Sequence, residues 1–210
     1  MTLQRALSEH HLADFGRLPT HETDGLGDGT LVLLGPDDPG FWDHVITEPE
    51  YLDGARDPLD RWSTRVITEI ANEVGGRPLF PFGTPARPFI SWALRSGRAW
   101  QSPVMILVHD VAGLMVSYRG AVLLPEHSEI ANATASPCEA CADKPCLTAC
   151  PVNAMSSQNY NLDACHAWLD QPGGQDCLSR GCAARRSCPI SKNYGRSEKQ
   201  SAFHMGYFHK

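Results

Sequence analysis

Eight cysteines are the residues best suited to chemistry in this chain, and all lie between positions 138 and 188. Four fall in CEACADKPCLTACP: Cys138, Cys141, Cys146 and Cys150, the last followed by Pro151. A lone Cys165 sits in YNLDACHAWL, and Cys177, Cys182 and Cys188 follow in DCLSRGCAARRSCP, again closed by a proline. Thiols so spaced can form disulfides, hold zinc or hold iron–sulfur clusters. Disulfides are favoured in small secreted chains, and MTLQRALSEHHLADFG lacks the apolar stretch of a secretion signal. Cys138-x2-Cys141 with Cys146-x3-Cys150 could close one tetrahedral zinc site.

Two features favour iron–sulfur chemistry. Both Cys150 and Cys188 precede proline. The run C-x2-C-x4-C-x3-C-P also lies two residues from the bacterial ferredoxin run C-x2-C-x2-C-x3-C-P, in which the fourth cysteine ligates the other cluster. Asp143-Lys144 marks the insertion. Iron takes soft thiolate ligands, and eight cysteines supply two complete sets of four. The expectation is two [4Fe–4S] clusters. Cys138, Cys141, Cys146 and Cys188 hold one, with the final Cys-Pro returning to complete it. Cys150, Cys165, Cys177 and Cys182 hold the other.

These motifs make the chain resemble the corrinoid- and iron–sulfur-dependent epoxyqueuosine reductases, and more distantly the reductive dehalogenases. The resemblance rests on CEACADKPCLTACPVNAM, on the lone cysteine of YNLDACHAWL and on the cysteine-rich return to Cys188-Pro189, covering about residues 137–190. It implies an upstream α/β domain that binds cobalamin. Three departures limit it. The second and third cysteines are spaced by four residues where the family has two, and the return is looser. Phe82, in Phe82-Gly83-Thr84-Pro85, stands where the reductases carry a proton-donating Asp, and a phenyl ring transfers no proton. The Gly-Lys-Asn-type stretch that follows reads Trp100-Gln101-Ser102-Pro103. The family's transfer-RNA-holding helical repeats have no counterpart in these 210 residues.

The expected activity is electron transfer through two clusters. One alternative is a corrinoid-dependent or corrinoid-reducing oxidoreductase, and another is a binding module stapled by its clusters. No catalytic residue is assigned. His109-Asp110 ends a strand where sites often lie, against a simpler reading as a turn-initiating Asp beside a partly exposed His. His10-His11 reads as helix surface. His166 stands beside Cys165 and could tune a cluster.

The elements that must position these thiols form an α+β fold: an α/β domain over 1–130, then a loop-rich, ferredoxin-like segment over 131–210. A helix is predicted over 3–14 with Thr2 as cap, and a buried strand over TLVLLGP (30–36). A second helix begins at Asp57-Pro58, with Leu59, Trp62, Val66, Ile70 and Val74 on one face. A short edge strand (77–83), a helix (89–97) and a meander of strands (104–126) follow, and SEIANATASP (128–137) reads as a linker. The aromatic tail SAFHMGYFHK is expected to fold back over apolar surface.

The composition is 42% hydrophobic and 20% charged, that of an ordinary globular chain. No run of eighteen apolar residues marks a membrane span, so a cytoplasmic location is expected. A formal net charge of −6 argues against nucleic acid as a partner. Arg180, Arg185, Arg186 and Lys192 make a local basic cluster, a candidate dock for an acidic redox partner.

Overall fold

A computed structural model describes residues 2–128, 130 and 135–209. The fold is mixed α+β, with a four-stranded and a two-stranded antiparallel sheet. Its strands are β1 (Leu12–Pro19), β2 (Thr30–Pro36), β3 (Arg77–Leu79), β4 (Ala99–Gln101), β5 (Leu107–His109) and β6 (Gly120–Leu124). The chain divides into two compact units. The first comprises Met1–Arg98 and Ser117–Thr134; the second comprises Ala99–Val116 and Ala135–Lys210. The second unit thus takes in residues 99–116, which the sequence assigns to the first domain. Part of the expected linker, 129 and 131–134, lies outside the described residues.

The first unit is built on a four-stranded sheet in the order β1-β2-β6-β3, antiparallel throughout. Every residue of β2 is buried, as TLVLLGP requires of a central strand covered on both faces. The helix Pro58–Glu73 buries Leu59, Trp62, Val66, Ile67 and Ile70, and Pro58 opens it at the position where a missing N–H costs least. Val74 lies just past its end, half-buried. Asp57 does not cap it with its side chain; its backbone is left-handed (φ 53°) and its carbonyl accepts from Asp60 and Arg61 N–H. β3 is the expected edge strand, shortened to three residues, and Pro78 suits an edge.

Two local expectations fail. The first helix stops at Glu9, and residues 12–19 form β1. His11 takes a left-handed turn (φ 50°) that redirects the chain. Thr2 supplies no side-chain cap. The meander over 104–126 also does not form. β5 pairs with β4, and β6 enters the first unit's sheet between β2 and β3. Gly113 (φ 56°) turns the chain out of β5, and a Cβ there would come within 2.5 Å of the Ser191 backbone nitrogen, so the site tolerates only glycine.

Asp24 anchors the helix Phe89–Arg95. Its carboxylate accepts from Trp92 Nε1 (2.8 Å), Arg95 Nη1 (2.8 Å) and the His21 N–H (2.7 Å). Burial opposes its ionisation, but Arg95, His21 and Trp92 outweigh that and hold its pKa at about 2. A depressed carboxylate stabilises the fold above its unfolded pKa and loses that contribution as pH falls through the folded value. Asp24→Asn should therefore cost about 1.5–3 kcal/mol at neutral pH. In urea titrations, the gap between wild type and variant should close as pH falls from about 4 towards 2.

The second unit carries little sheet and many short helices: Leu162–Leu169, Gln175–Arg180, Ala183–Ser187, Pro189–Tyr194 and Glu198–Phe208. The sequence reading of this segment as loop-rich misses these turns of helix. Its core gathers Val104, Val108 and Leu114 from the β4–β5 region with Cys146, Met155, Ala184 and Cys188. Hydrogen bonds bind the two stretches of chain. Leu114 N–H donates to Ser191 Oγ (2.9 Å), Arg185 Nη1 to the Leu114 carbonyl (2.8 Å), and Arg196 Nη1 to the Met115 carbonyl (2.9 Å). The aromatic tail is the helix Glu198–Phe208, capped by Ser197, with Met205 buried against Leu169 and Cys177.

Candidate metal centre

Five of the eight cysteines sit within a helical turn or just before one. Cys146 lies in the single helical turn Pro145–Leu147. Cys165 and Cys177 lie within the helices Leu162–Leu169 and Gln175–Arg180. Cys182 and Cys188 stand immediately before Ala183–Ser187 and Pro189–Tyr194. Pro189 is the first residue of its helix, where proline loses no hydrogen bond, so it fixes the chain direction at Cys188. All eight are free thiols, with Cys146, Cys177 and Cys188 buried and the other five half-buried.

The thiols fall into two neighbourhoods. Cys138, Cys141, Cys146 and Cys188 line one cavity of about 230 Å³, together with Val108 and Leu114. That exceeds the roughly 150 Å³ apolar cavity known to admit benzene. Burial pushes the Cys146 thiol up, and charge on Cys138, Cys188 and Cys141 adds to it. Cys138 is raised likewise, by burial and then by Cys188 and Cys141, against hydrogen bonding from Ser136. In the other neighbourhood, burial raises Cys165, and Cys182, Cys150 and Cys177 raise it further. Cys177 is raised by burial and by Cys182. Cys146 and Cys150 are four residues apart yet face different companions.

Polar groups reach the sulfurs of the second neighbourhood. Ala154 N–H donates to Cys150 Sγ (3.2 Å), and Tyr160 Oη to Cys165 Sγ (3.9 Å). Cys182 Sγ contacts Met155 Sδ at 3.9 Å. Met155, 3% exposed, also packs in the core that contains Cys146 and Cys188, so it lies between the two neighbourhoods. Among the described residues, no group of three or more His, Cys, Asp or Glu is arranged to hold a single metal ion.

No protein-family model, curated protein or solved structure matches this chain.

Other residues singled out by sequence have defined places. Lys144, in the two-residue insertion, takes a left-handed conformation (φ 40°) and lines both the first cavity and an open groove of about 520 Å³. Trp100, Gln101, Ser102 and Pro103 line the same groove, beside Cys138. Phe82 stacks on Phe80 (5.2 Å, 23°). His109 is fully buried, not partly exposed, and its Nδ1 accepts from the Val111 and Ala112 N–H groups at 3.2 and 3.3 Å, organising the turn after β5. His10 and His11 meet His44 at 6.1 and 5.1 Å between ring centres, because the helix ends before them. His166 turns to the tail: its Nδ1 bonds His209 Nδ1 (2.7 Å), and His209 Nε2 bonds Asp170 Oδ1 (3.0 Å).

The basic cluster is largely engaged within the unit. Arg180 pairs with Asp176 and Glu198, Arg186 with Asp176 and the Gly181 carbonyl, and Arg185 with the Leu114 carbonyl. Lys192 lies exposed on the helix Pro189–Tyr194. No helix among the described residues is long and apolar enough to cross a membrane.

Sequence reasoning missed Tyr160, Met155 and Lys144. Tyr160 stands five residues before Cys165, and only the fold of the intervening turn aims its hydroxyl at the sulfur. Lys144 had a signal, its place in the insertion, but its direction depends on the backbone conformation.

Proposed function

We propose that this protein carries electrons through two [4Fe–4S] clusters, one on Cys138, Cys141, Cys146 and Cys188, the other on Cys150, Cys165, Cys177 and Cys182. The observation that carries this is the separation of eight thiols into two fours that divides one contiguous motif between Cys146 and Cys150. Thiols spaced around a cavity, each free to take a different iron, suit a multi-iron cluster better than a single zinc ion. Such clusters, when bound, supply one-electron oxidation and reduction at potentials from roughly −700 to +450 mV.

The chain's own residues do the rest. Val108, Leu114 and Met155 pack around Cys146 and Cys188, and apolar surroundings raise the weight of each hydrogen bond to sulfur. Ala154 and Tyr160 offset thiolate charge in the second set. The ferredoxin-like character of the second unit and its resemblance to the epoxyqueuosine reductases belong to the same reading. The reading stops at electron transfer, because Phe82, at the reductases' proton-donor place, is stacked on Phe80 and offers no proton.

Anaerobic purification with iron, sulfide, zinc and cobalt analysis tests it. The expected product is brown, carries iron and sulfide in equal amounts, and bleaches on reduction. A colourless zinc protein overturns the proposal. Added cobalamin should leave the spectrum unchanged; a change would favour the corrinoid-dependent alternative.

A further inference from the structure

We propose that Tyr160 raises the reduction potential of the cluster held by Cys165, and that the C-terminal helix Glu198–Phe208 is the strap that keeps its hydroxyl on the sulfur. This rests on the two-cluster reading above.

Tyr160 Oη donates to Cys165 Sγ at 3.9 Å. Its ring is held by stacking on Phe208 (6.5 Å between centres, 13° between planes), and Phe208 in turn stacks on His166 (4.7 Å, 17°). His166 is tied to His209, and His209 to Asp170. The far end of the same helix is fixed by the Ser197 cap, and its middle by Met205 against Leu169 and Cys177. The last turn of the helix is therefore fastened to the helix that bears Cys165, with Tyr160 stacked against it. A phenol is protonated at neutral pH and so can act towards sulfur as a donor.

A donor to a ligating sulfur stabilises whichever redox state carries more negative charge. Reduction adds one electron to the thiolate-bound cluster, and no bond is made or broken at Tyr160. The hydroxyl favours the reduced state, so its loss lowers the potential. Tyr160 is thus a tuning residue, acting through Cys165.

The test is a redox titration followed by electron paramagnetic resonance on wild type, Tyr160→Phe and Phe208→Ala, each with its iron measured. In Tyr160→Phe, one of the two midpoints should fall by about tenfold in the reduction equilibrium constant, about 59 mV for one electron. The other midpoint and the iron content should stay unchanged. Phe208→Ala, which removes the stacking partner and leaves the hydroxyl in the chain, should move the same midpoint in the same direction by less. Unchanged midpoints in a fully loaded Tyr160→Phe overturn the inference and leave the two-cluster reading standing. Loss of iron in that variant also overturns it, since the hydroxyl would then hold the site together instead of tuning it. A wild type without iron overturns the two-cluster reading itself, and this inference with it.

Discussion

On the two-cluster proposal, Cys150→Ala and Cys146→Ala are expected to lose different clusters, although the two residues lie four apart. Cys150→Ala should retain about half of the wild-type iron and match Cys165→Ala in its remaining paramagnetic signal. Cys146→Ala should retain the complementary half and match Cys188→Ala. The expectation follows from the neighbours of each thiol: Cys138, Cys188 and Cys141 around Cys146, and Cys150 with Cys182 and Cys177 around Cys165. The double variant Cys150→Ala/Cys165→Ala should be no worse than either single change, because both remove ligands of one centre. If Cys146→Ala and Cys150→Ala lost the same signal, the division of the motif would be wrong and a single four-cysteine site would replace it.

Met155→Ala should give the largest loss of stability among the non-ligand residues of the second unit. Met155 is 3% exposed and packs with Val104, Val108, Leu114 and Ala184 between the thiol neighbourhoods. Truncation removes its transfer energy and leaves a cavity, together about 2–5 kcal/mol. Water admitted there would also reach thiols of both sets. Urea unfolding at matched iron content should show the second unit's transition moving to lower denaturant while the first unit's stays in place. A coincident shift of both transitions would mean that the two units unfold as one.

Where a residue's role is set by its near neighbours in sequence, the fold was legible. The run TLVLLGP has no polar interruption and becomes the buried central strand β2. The three- and four-residue spacing of Leu59, Trp62, Val66 and Ile70 becomes one buried helix face. β1 was hidden because LADFGRLP mixes charge with a glycine. Its register shifts between Asp14 and Arg17, where Asp14 accepts from Gly16 N–H (2.9 Å) and Arg17 Nε (2.6 Å), so the charges serve a bulge. The spacing of the thiols and the two Cys-Pro steps are local features and were read directly, whereas their service as cluster ligands is the proposal made above. Tyr160, by contrast, depends on Phe208, 48 residues further along the chain, and no local pattern encodes such a contact. The destination of β5 and β6 was equally out of reach. Both are short apolar strands, and only the partners waiting in separate units decide where each one pairs.

The discontinuous make-up of the second unit also governs the order in which a growing polypeptide can complete it. The β4–β5 hairpin leaves the ribosome before β6, so the sheet of the first unit closes while Val104, Val108 and Leu114 still lack their partners. Cys188, the last buried residue among those partners, follows Val116 by roughly 70 residues, several seconds at the usual ~5–20 residues per second of synthesis. During that interval an apolar hairpin hangs from an already folded body. On the two-cluster proposal, the cluster that Cys188 completes can be finished only after this interval.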